Sequence, residues 1–359
     1  MPTIPLQFCL IGAGRAGLVH ARNLATRIPN ARLAAICDTN ATALAETGDA
    51  FGVPQAMRFT DYRQALAHSW IDAVVVVTPT FLHKSIAVAA AEAGKHVFLE
   101  KPMAVTVEEC EAINDATRRA NVKLQIGFMR RFDEGFLRAK ELLDSGKLGR
   151  IMIIKSTGRG PGGPGPWMWD LKKSNGIVAE VNSHDIDSLH WYTGAAVTRV
   201  YAQAHNFKMP QARAQHPDFY DNVVATFRFD NDAMGVIDGT CPAHYGYDAR
   251  VEILCENGVI FIGSAQHHGC EYITVEEGLR GDAVKTWRTL FREAYLAEME
   301  HFVDCVINDR QPRVTGHDGL SAVAAVLAVN ESIRTGQAVE IRASGPRPQT
   351  PGPSVEVRA

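Results

Sequence analysis

Three polar residues fall at helical spacing near the middle of the chain. They are Glu180, His184 and Asp187, within the stretch GIVAEVNSHDIDSLHW that runs from Gly176 to Trp191. Steps of four and seven residues predict that all three share one helical face. A carboxylate, an imidazole and a second carboxylate in register can hold a general base in place. Histidine, with an unperturbed pKa of about 6.5, suits taking a proton near neutrality. A solvated polar helix face has the same pattern. A zinc centre of the dehydrogenase type would draw on cysteine, and none lies near these residues, so no metal is expected here. A second group is Glu100-Lys101-Pro102, directly after the apolar run His96–Leu99. A lysine at a strand end can hydrogen-bond a hydroxyl and stabilise a developing alkoxide. The proline fixes the turn that presents it.

The elements that must position these groups begin at the N-terminus. Leu6-Gln7-Phe8-Cys9-Leu10-Ile11 is followed by Gly12-Ala13-Gly14-Arg15-Ala16-Gly17 and then by the helical stretch Leu18 to Arg27. An apolar strand, three glycines at G-x-G-x-x-G spacing and a helix describe a dinucleotide site. Gly12 allows the tight turn, Gly14 lets the backbone approach a pyrophosphate, and Gly17 lets the helix pack close to the strand. The helix N-terminus, with Arg15 and Ala16 in the loop, offers N–H groups to the phosphates. Asp38 closes the next apolar run, Leu33–Cys37. A carboxylate there binds ribose hydroxyls and repels a 2′-phosphate, which favours NAD over NADP. Neither Thr39 nor Asn40 is basic, and Arg15 is the one competing cation. A cap for the helix at Ala41–Ala50 is the plainer role for Asp38.

Further strands are expected at Ala73–Val77, His96–Leu99 and Lys123–Ile126, with helices such as Phe81–Ala93 and Val107–Ala120 between them. Continuous valine runs suit parallel strands covered on both faces. The expected fold class is α/β, with a doubly wound parallel sheet over residues 1–126. Ligands of such a sheet sit at the carboxyl ends of its strands. That assigns Thr78, Pro79, His83, Glu100 and Lys101 to the cofactor side.

From about residue 127 the pattern changes to strands joined by short turns: Ile151–Ser156, Val197–Ala204, Val223–Phe229, Met234–Thr240, Arg250–Cys255, Gly258–Ile262 and Glu271–Val275. Asn257-Gly258 is a hairpin signal. Two helices follow, near Phe291–Asn308 and Gly316–Thr335. Residues 127–343 therefore form an α+β domain with a mainly antiparallel open sheet. Residues 344–359, rich in proline and glycine, are expected to be a disordered tail. Strands 223–227 and 234–237 carry apolar residues on both faces, which predicts a homo-oligomer, dimer or tetramer, that covers the outer face. With 359 residues, 46% hydrophobic and 21% charged, the chain suits two globular domains. The net charge of −3 carries no footprint for nucleic acid. Its seven scattered cysteines include no C-x-x-C pair and suggest reduced thiols in the cytoplasm. No apolar run approaches the length of a membrane span.

The glycine loop, the Glu-Lys-Pro turn and the His-Asp-Ile-Asp helix together resemble the Gfo/Idh/MocA oxidoreductases. Gln125-Ile126-Gly127-Phe128-Met129-Arg130-Arg131-Phe132-Asp133 and His244-Tyr245-Gly246-Tyr247-Asp248 are similar to its inositol dehydrogenase branch. The resemblance spans roughly residues 6 to 340. It implies a Rossmann domain, a tetramer, Lys101 and His184 as the catalytic pair, and Arg130, Glu180, Asp187, Tyr245 and Tyr247 around the substrate. The aspartate usual four residues before the histidine is Glu180 here. The segment Gly158–Pro166, before Trp167 and Trp169, departs from the branch. The tryptophans offer either a flat face to a sugar ring or ordinary packing. The expected activity is NAD-dependent oxidation of a secondary hydroxyl on a cyclitol or pyranose. Two alternatives are a glycoside-cleaving enzyme that keeps NAD bound and an NAD-sensing regulator. A hydroxy-acid substrate is disfavoured because two pocket carboxylates would repel it.

Overall fold

The computed structural model describes residues 4–276 and 278–341. Strands and helices alternate through the first half: β1 (Leu6–Ile11), α1 (Gly17–Thr26), β2 (Ala31–Cys37), α2 (Ala41–Ala50), β3 (Arg58–Phe59), α3 (Tyr62–Leu66), β4 (Ala73–Val76), α4 (His83–Glu92), β5 (His96–Glu100), α5 (Val107–Arg119) and β6 (Leu124–Gly127). All pairings are parallel, in the order β3-β2-β1-β4-β5-β6. The valine run of β4 is fully buried, as helices on both faces require. The winding reverses between β1 and β4, which opens a crevice at the carboxyl ends of the strands. The two-residue β3 was not expected; a strand that short has no periodicity to read.

The second half contains α6 (Glu134–Asp144), β7 (Ile151–Arg159), α7 (Pro166–Trp169), α8 (Leu171–Ser174), α9 (Gly176–Glu180), α10 (Ser183–Thr193), β8 (Val197–His205), α11 (Pro210–Gln215), β9 (Asn222–Phe229), β10 (Met234–Thr240), β11 (Asp248–Cys255) and β12 (Gly258–Ile262). After these come β13 (Gln266–Thr274), β14 (Gly278–Ala283), α12 (Trp287–Leu290), α13 (Arg292–Ile307), α14 (Gly316–Thr335) and β15 (Val339–Glu340). The large sheet runs β12-β11-β7-β10-β9-β8-β15 and is antiparallel except at β7–β10. Along β9, Val223, Ala225, Phe227 and Phe229 face the helices, while Val224, Thr226 and Arg228 face outward. Helices α10 and α14 pack on the inner face.

The packing does not follow a single cut at residue 126. Met299, Phe302 and Val303 of α13 share a core with Phe8, Leu10, Leu24 and Phe98 of the first sheet. Helix α14 also reaches back onto α5 and β6. The expected tail at 344–359 lies outside the described residues. Among the described residues, no helix is long and apolar enough to cross a membrane.

Candidate active site

The glycine loop has the shape its spacing predicts. Gly12 sits at φ +106°, and a Cβ there would come 2.6 Å from the carbonyl oxygen of Val77. A Cβ on Gly17 would collide with the carbonyl of Gly12. A Cβ on Gly14 would meet nothing within 4 Å, so the backbone at Gly14 borders open space. The first turn of α1, capped by Ala16 with no side-chain bond, adjoins that space, and Arg15 is exposed there. A helix start with no cap of its own beside a clear approach is what a pyrophosphate needs. Asp38 lies at the end of β2. Its Oδ2 accepts from the N–H of Ala13 (2.7 Å) and its Oδ1 from Asn40 (2.7 Å), so it fastens the loop and stays partly open. The cap of α2 is Asn40, not Asp38. The residues present fit a dinucleotide whose ribose has free hydroxyls.

The turns after β4 and β5 carry Thr78-Pro79 and Lys101-Pro102. His83 joins them from below. Its Nε2 lies 2.8 Å from the Thr78 carbonyl oxygen and its Nδ1 2.8 Å from that of Pro102. It is 1% exposed with both nitrogens engaged, so it braces the cofactor turns and offers nothing to the cofactor itself. That corrects its expected role as a direct ligand.

Lys101 reaches into the second half, where its Nζ donates to the carbonyl of Glu180 (2.8 Å). The Glu180 carboxyl accepts from Thr80 Oγ1 (2.6 Å). Burial pushes that carboxyl up to about 7, against the pull of Lys101 and the Thr80 hydroxyl. Thr80 was not anticipated. Its only signal was its place in the turn after β4.

The helical face expected for Glu180, His184 and Asp187 is broken. Helix α9 ends at Glu180, and α10 starts afresh at Ser183. His184 is 6% exposed, with Phe128 edge-on at 5.9 Å. Its Nδ1 is sealed without a partner, which leaves Nε2 as the nitrogen open to a hydroxyl. Burial, then Lys101 and Arg130, hold the imidazole well below its usual range, so it is neutral at pH 7.

Asp187 turns away from the crevice. Both its oxygens bind Arg131 (2.9 and 2.5 Å), and Arg131 also holds Asp318 (3.0 Å). It is 1% exposed, so its expected place among the hydroxyl partners is corrected to a buried structural pair. Arg130 is committed too, to Asp185 (2.7 Å) and to the Tyr247 hydroxyl. Asp185 collects Ser156 Oγ (2.6 Å) and Asn182 Nδ2 (2.8 Å) as well. Asp185 escaped the sequence reading because it sits one position from His184, off the shared face. Tyr245 is a further correction. Position 158 of β7 faces Asp185, so Arg159 points to the sheet's other side. The Tyr245 hydroxyl accepts from Arg159 (3.1 Å) and donates to Asp248 (2.7 Å) in that outer network. Trp167 meets Phe81 edge-on at 6.2 Å, so the segment after Pro166 touches the turn below β4. Trp169 donates to the Pro164 carbonyl (3.0 Å) and packs on a small core of Met209, Ala212 and Phe219.

Comparison with known proteins agrees with the fold. Residues 6–128 match the oxidoreductase family with an NAD-binding Rossmann fold, GFO_IDH_MocA, and residues 136–261 match the GFO/IDH/MocA C-terminal domain. The chain belongs to the Gfo/Idh/MocA family of NAD-dependent oxidoreductases. It is 32% identical to a scyllo-inositol 2-dehydrogenase (NAD(+)) of Bacillus subtilis, over 94% of this chain and 96% of that one. It is also 32% identical to a myo-inositol 2-dehydrogenase of Thermotoga maritima, over 94% and 98%. A crystal structure of scyllo-inositol dehydrogenase from Lactobacillus casei, with NAD(H) and scyllo-inositol bound, superposes with a TM-score of 0.85 at 29% identity. That match covers 94% of this chain and 99% of the other.

Proposed function

We propose that this protein oxidises a secondary hydroxyl of an inositol or a related six-membered polyol ring, with NAD as hydride acceptor. The observation that carries the reading is the meeting of Lys101 from the first sheet with Glu180 and His184 from the second half. The glycine loop and Asp38 would hold the dinucleotide, which supplies the acceptor for the hydride. Neutral His184 takes the hydroxyl proton at Nε2. The Lys101 ammonium holds the oxygen and stabilises its charge as the proton leaves. Thr80 and Lys101 fix Glu180 beside them, and its ionisation offsets the cation. Asp185 and Arg130 hold the start of α10 and the Tyr247 ring in place below the pocket.

We infer a homo-oligomer through the outer face of the large sheet. Tyr201, Val224, Met234, Val259 and Phe261 are exposed there, among ion pairs such as Lys155–Glu252. Among the described residues, six cysteines are free and buried, which supports a reducing compartment such as the cytoplasm. The test of function is a panel of inositols, aldoses and 2-hydroxy acids, assayed by NADH absorbance with NAD and NADP in parallel. Turnover of a cyclitol or pyranose with NAD is expected. Efficient turnover of a hydroxy acid, with none on any ring polyol, would overturn the assignment.

A further inference from the structure

Beneath the Lys101 turn lies a sealed polar group that the reaction above does not use. Glu100, the last residue of β5, is 5% exposed. Its Oε2 accepts from the backbone N–H of Lys101 (3.1 Å), and its Oε1 lies 2.8 Å from Nε2 of His20. The carboxylate lies flat across Gly127 of β6, where a Cβ would come within 3.0 Å of it. His20 comes from α1 and is wedged between the rings of Phe98 (5.0 Å) and Tyr295 (5.6 Å). Glu298 comes from α13. It is 0% exposed, and neither of its carboxyl oxygens has a partner. Ligand atoms of His20, Glu100 and Glu298 lie within 4.8 Å of one another.

Two carboxylate charges cannot share such a space, because each loses its hydration and each repels the other. One acid must hold a proton. Glu100 already has two hydrogen-bond partners, the backbone N–H of Lys101 and the His20 ring. Glu298 has none, and burial and then Glu100 push its carboxyl well up. The other polar groups facing the cluster are Gln125, whose Nε2 donates to the Glu298 backbone carbonyl (2.9 Å), and Tyr295, beyond which stand Tyr247 and Arg130. Apart from His20, whose Nε2 is engaged with Glu100, none of these described groups is placed to give Glu298 a cation.

We propose that Glu298 is a positioning residue for Lys101: protonated and facing Glu100, it keeps the sealed His20–Glu100–Glu298 group singly charged and so fixes the Glu100 carboxylate against the backbone N–H of Lys101. The proposal rests on the reading of Lys101 as a catalytic group. Helix α13, held on the first sheet by Met299, Phe302 and Val303, brings this acid beneath the Lys101 turn. Glu298 touches neither the crevice nor a ligand there.

The test uses the full chain in three forms: wild type, Glu298→Gln and Glu298→Leu. Infrared spectroscopy at pH 8 should show the C=O stretch of a protonated carboxylic acid in wild type, absent from Glu298→Gln. Glu298→Gln puts an amide N–H where the proton was and should rescue kcat. Glu298→Leu should lower kcat by about ten- to a hundredfold with little change in KM, the scale of a small displacement at a reacting group. Glu298→Gln as slow as Glu298→Leu, or no difference in the infrared band, would overturn the proposal. So would a stoichiometric divalent metal in the wild-type protein that is lost from Glu298→Gln, because the group would then be a metal site. The infrared arm does not depend on turnover. A protein with the band but no dehydrogenase activity would count against the proposed function and leave the protonated Glu298 standing.

Discussion

Glu180 is the residue whose ionisation should be most visible in solution. Its carboxyl is moved from an ordinary 4.5 to about 7, chiefly by burial. At about 1.36 kcal/mol for each tenfold in acidity, that is a penalty on the charged form of about 3 kcal/mol. The folded-state value is raised, so the folded protein keeps a proton that the unfolded chain releases. Stability should therefore fall as pH rises from about 4.5 to about 7, then level off. Glu180→Gln cannot ionise and escapes the loss. Urea unfolding should give nearly equal stabilities for the two proteins at pH 4.5. By pH 8 the variant should be ahead by up to about 3 kcal/mol, a net figure in which the Lys101 attraction is already included. Activity should move with it. Burial, then Lys101 and Arg130, hold His184 well below its usual range. The rising limb of kcat/KM near pH 7 then belongs to Glu180 coupled to Lys101, and it should vanish in Glu180→Gln. A limb that stays near 7 in that variant would assign the titration to His184 and refute the reasoning. So would a stability difference that does not change with pH.

Lys101→Met and His184→Ala should each lower kcat by about two to four orders of magnitude, and the double variant should be little worse than either, because the two act on one proton and one oxygen. Stopped-flow or steady-state NADH formation reads this, and near wild-type turnover in His184→Ala removes it as the base. Asp38→Ser should lose the ribose contact and shift the kcat/KM ratio toward NADP; an unchanged cofactor ratio would mean that Asp38 serves only to fasten the Ala13 loop. Asp187→Asn strips the bidentate partner from buried Arg131 and should cost about 3 to 5 kcal/mol in urea unfolding, with KM for the polyol nearly unchanged. A raised KM with normal stability would return Asp187 to the substrate pocket.

The elements that could be read in advance were those whose identity lies in local pattern. The strand–glycine–helix unit at Leu6–Thr26 and the valine run of β4 declare themselves within about twenty residues, because turn geometry and burial on two faces restrict residue type locally. The parallel order follows from that alternation. The partnerships inside the site are another matter. The i, i+4, i+7 reading of Glu180, His184 and Asp187 assumed one continuous helix. Val181 and Asn182 interrupt it between α9 and α10. No glycine or proline marks the break. Its cause is tertiary: the Glu180 carbonyl is taken by Lys101, and Asn182 binds Asp185 and the Gly158 carbonyl.

The two arginines show why charge type alone could not place the substrate. Arg130 and Arg131 are adjacent in sequence and point to different acids two positions apart on α10, Asp185 and Asp187. Once both are paired, neither is a free cation for an anionic substrate, and Asp187 is no longer a free carboxylate to bind a hydroxyl. The crevice is left with the Lys101 ammonium, the Glu180 carboxyl and a neutral imidazole. A fork for a carboxylate is missing among these three, whereas each can donate to or accept from a hydroxyl. Their joint preference is for a neutral polyol. That preference came from pairings between residues 55 and 56 positions apart, which composition and spacing do not record.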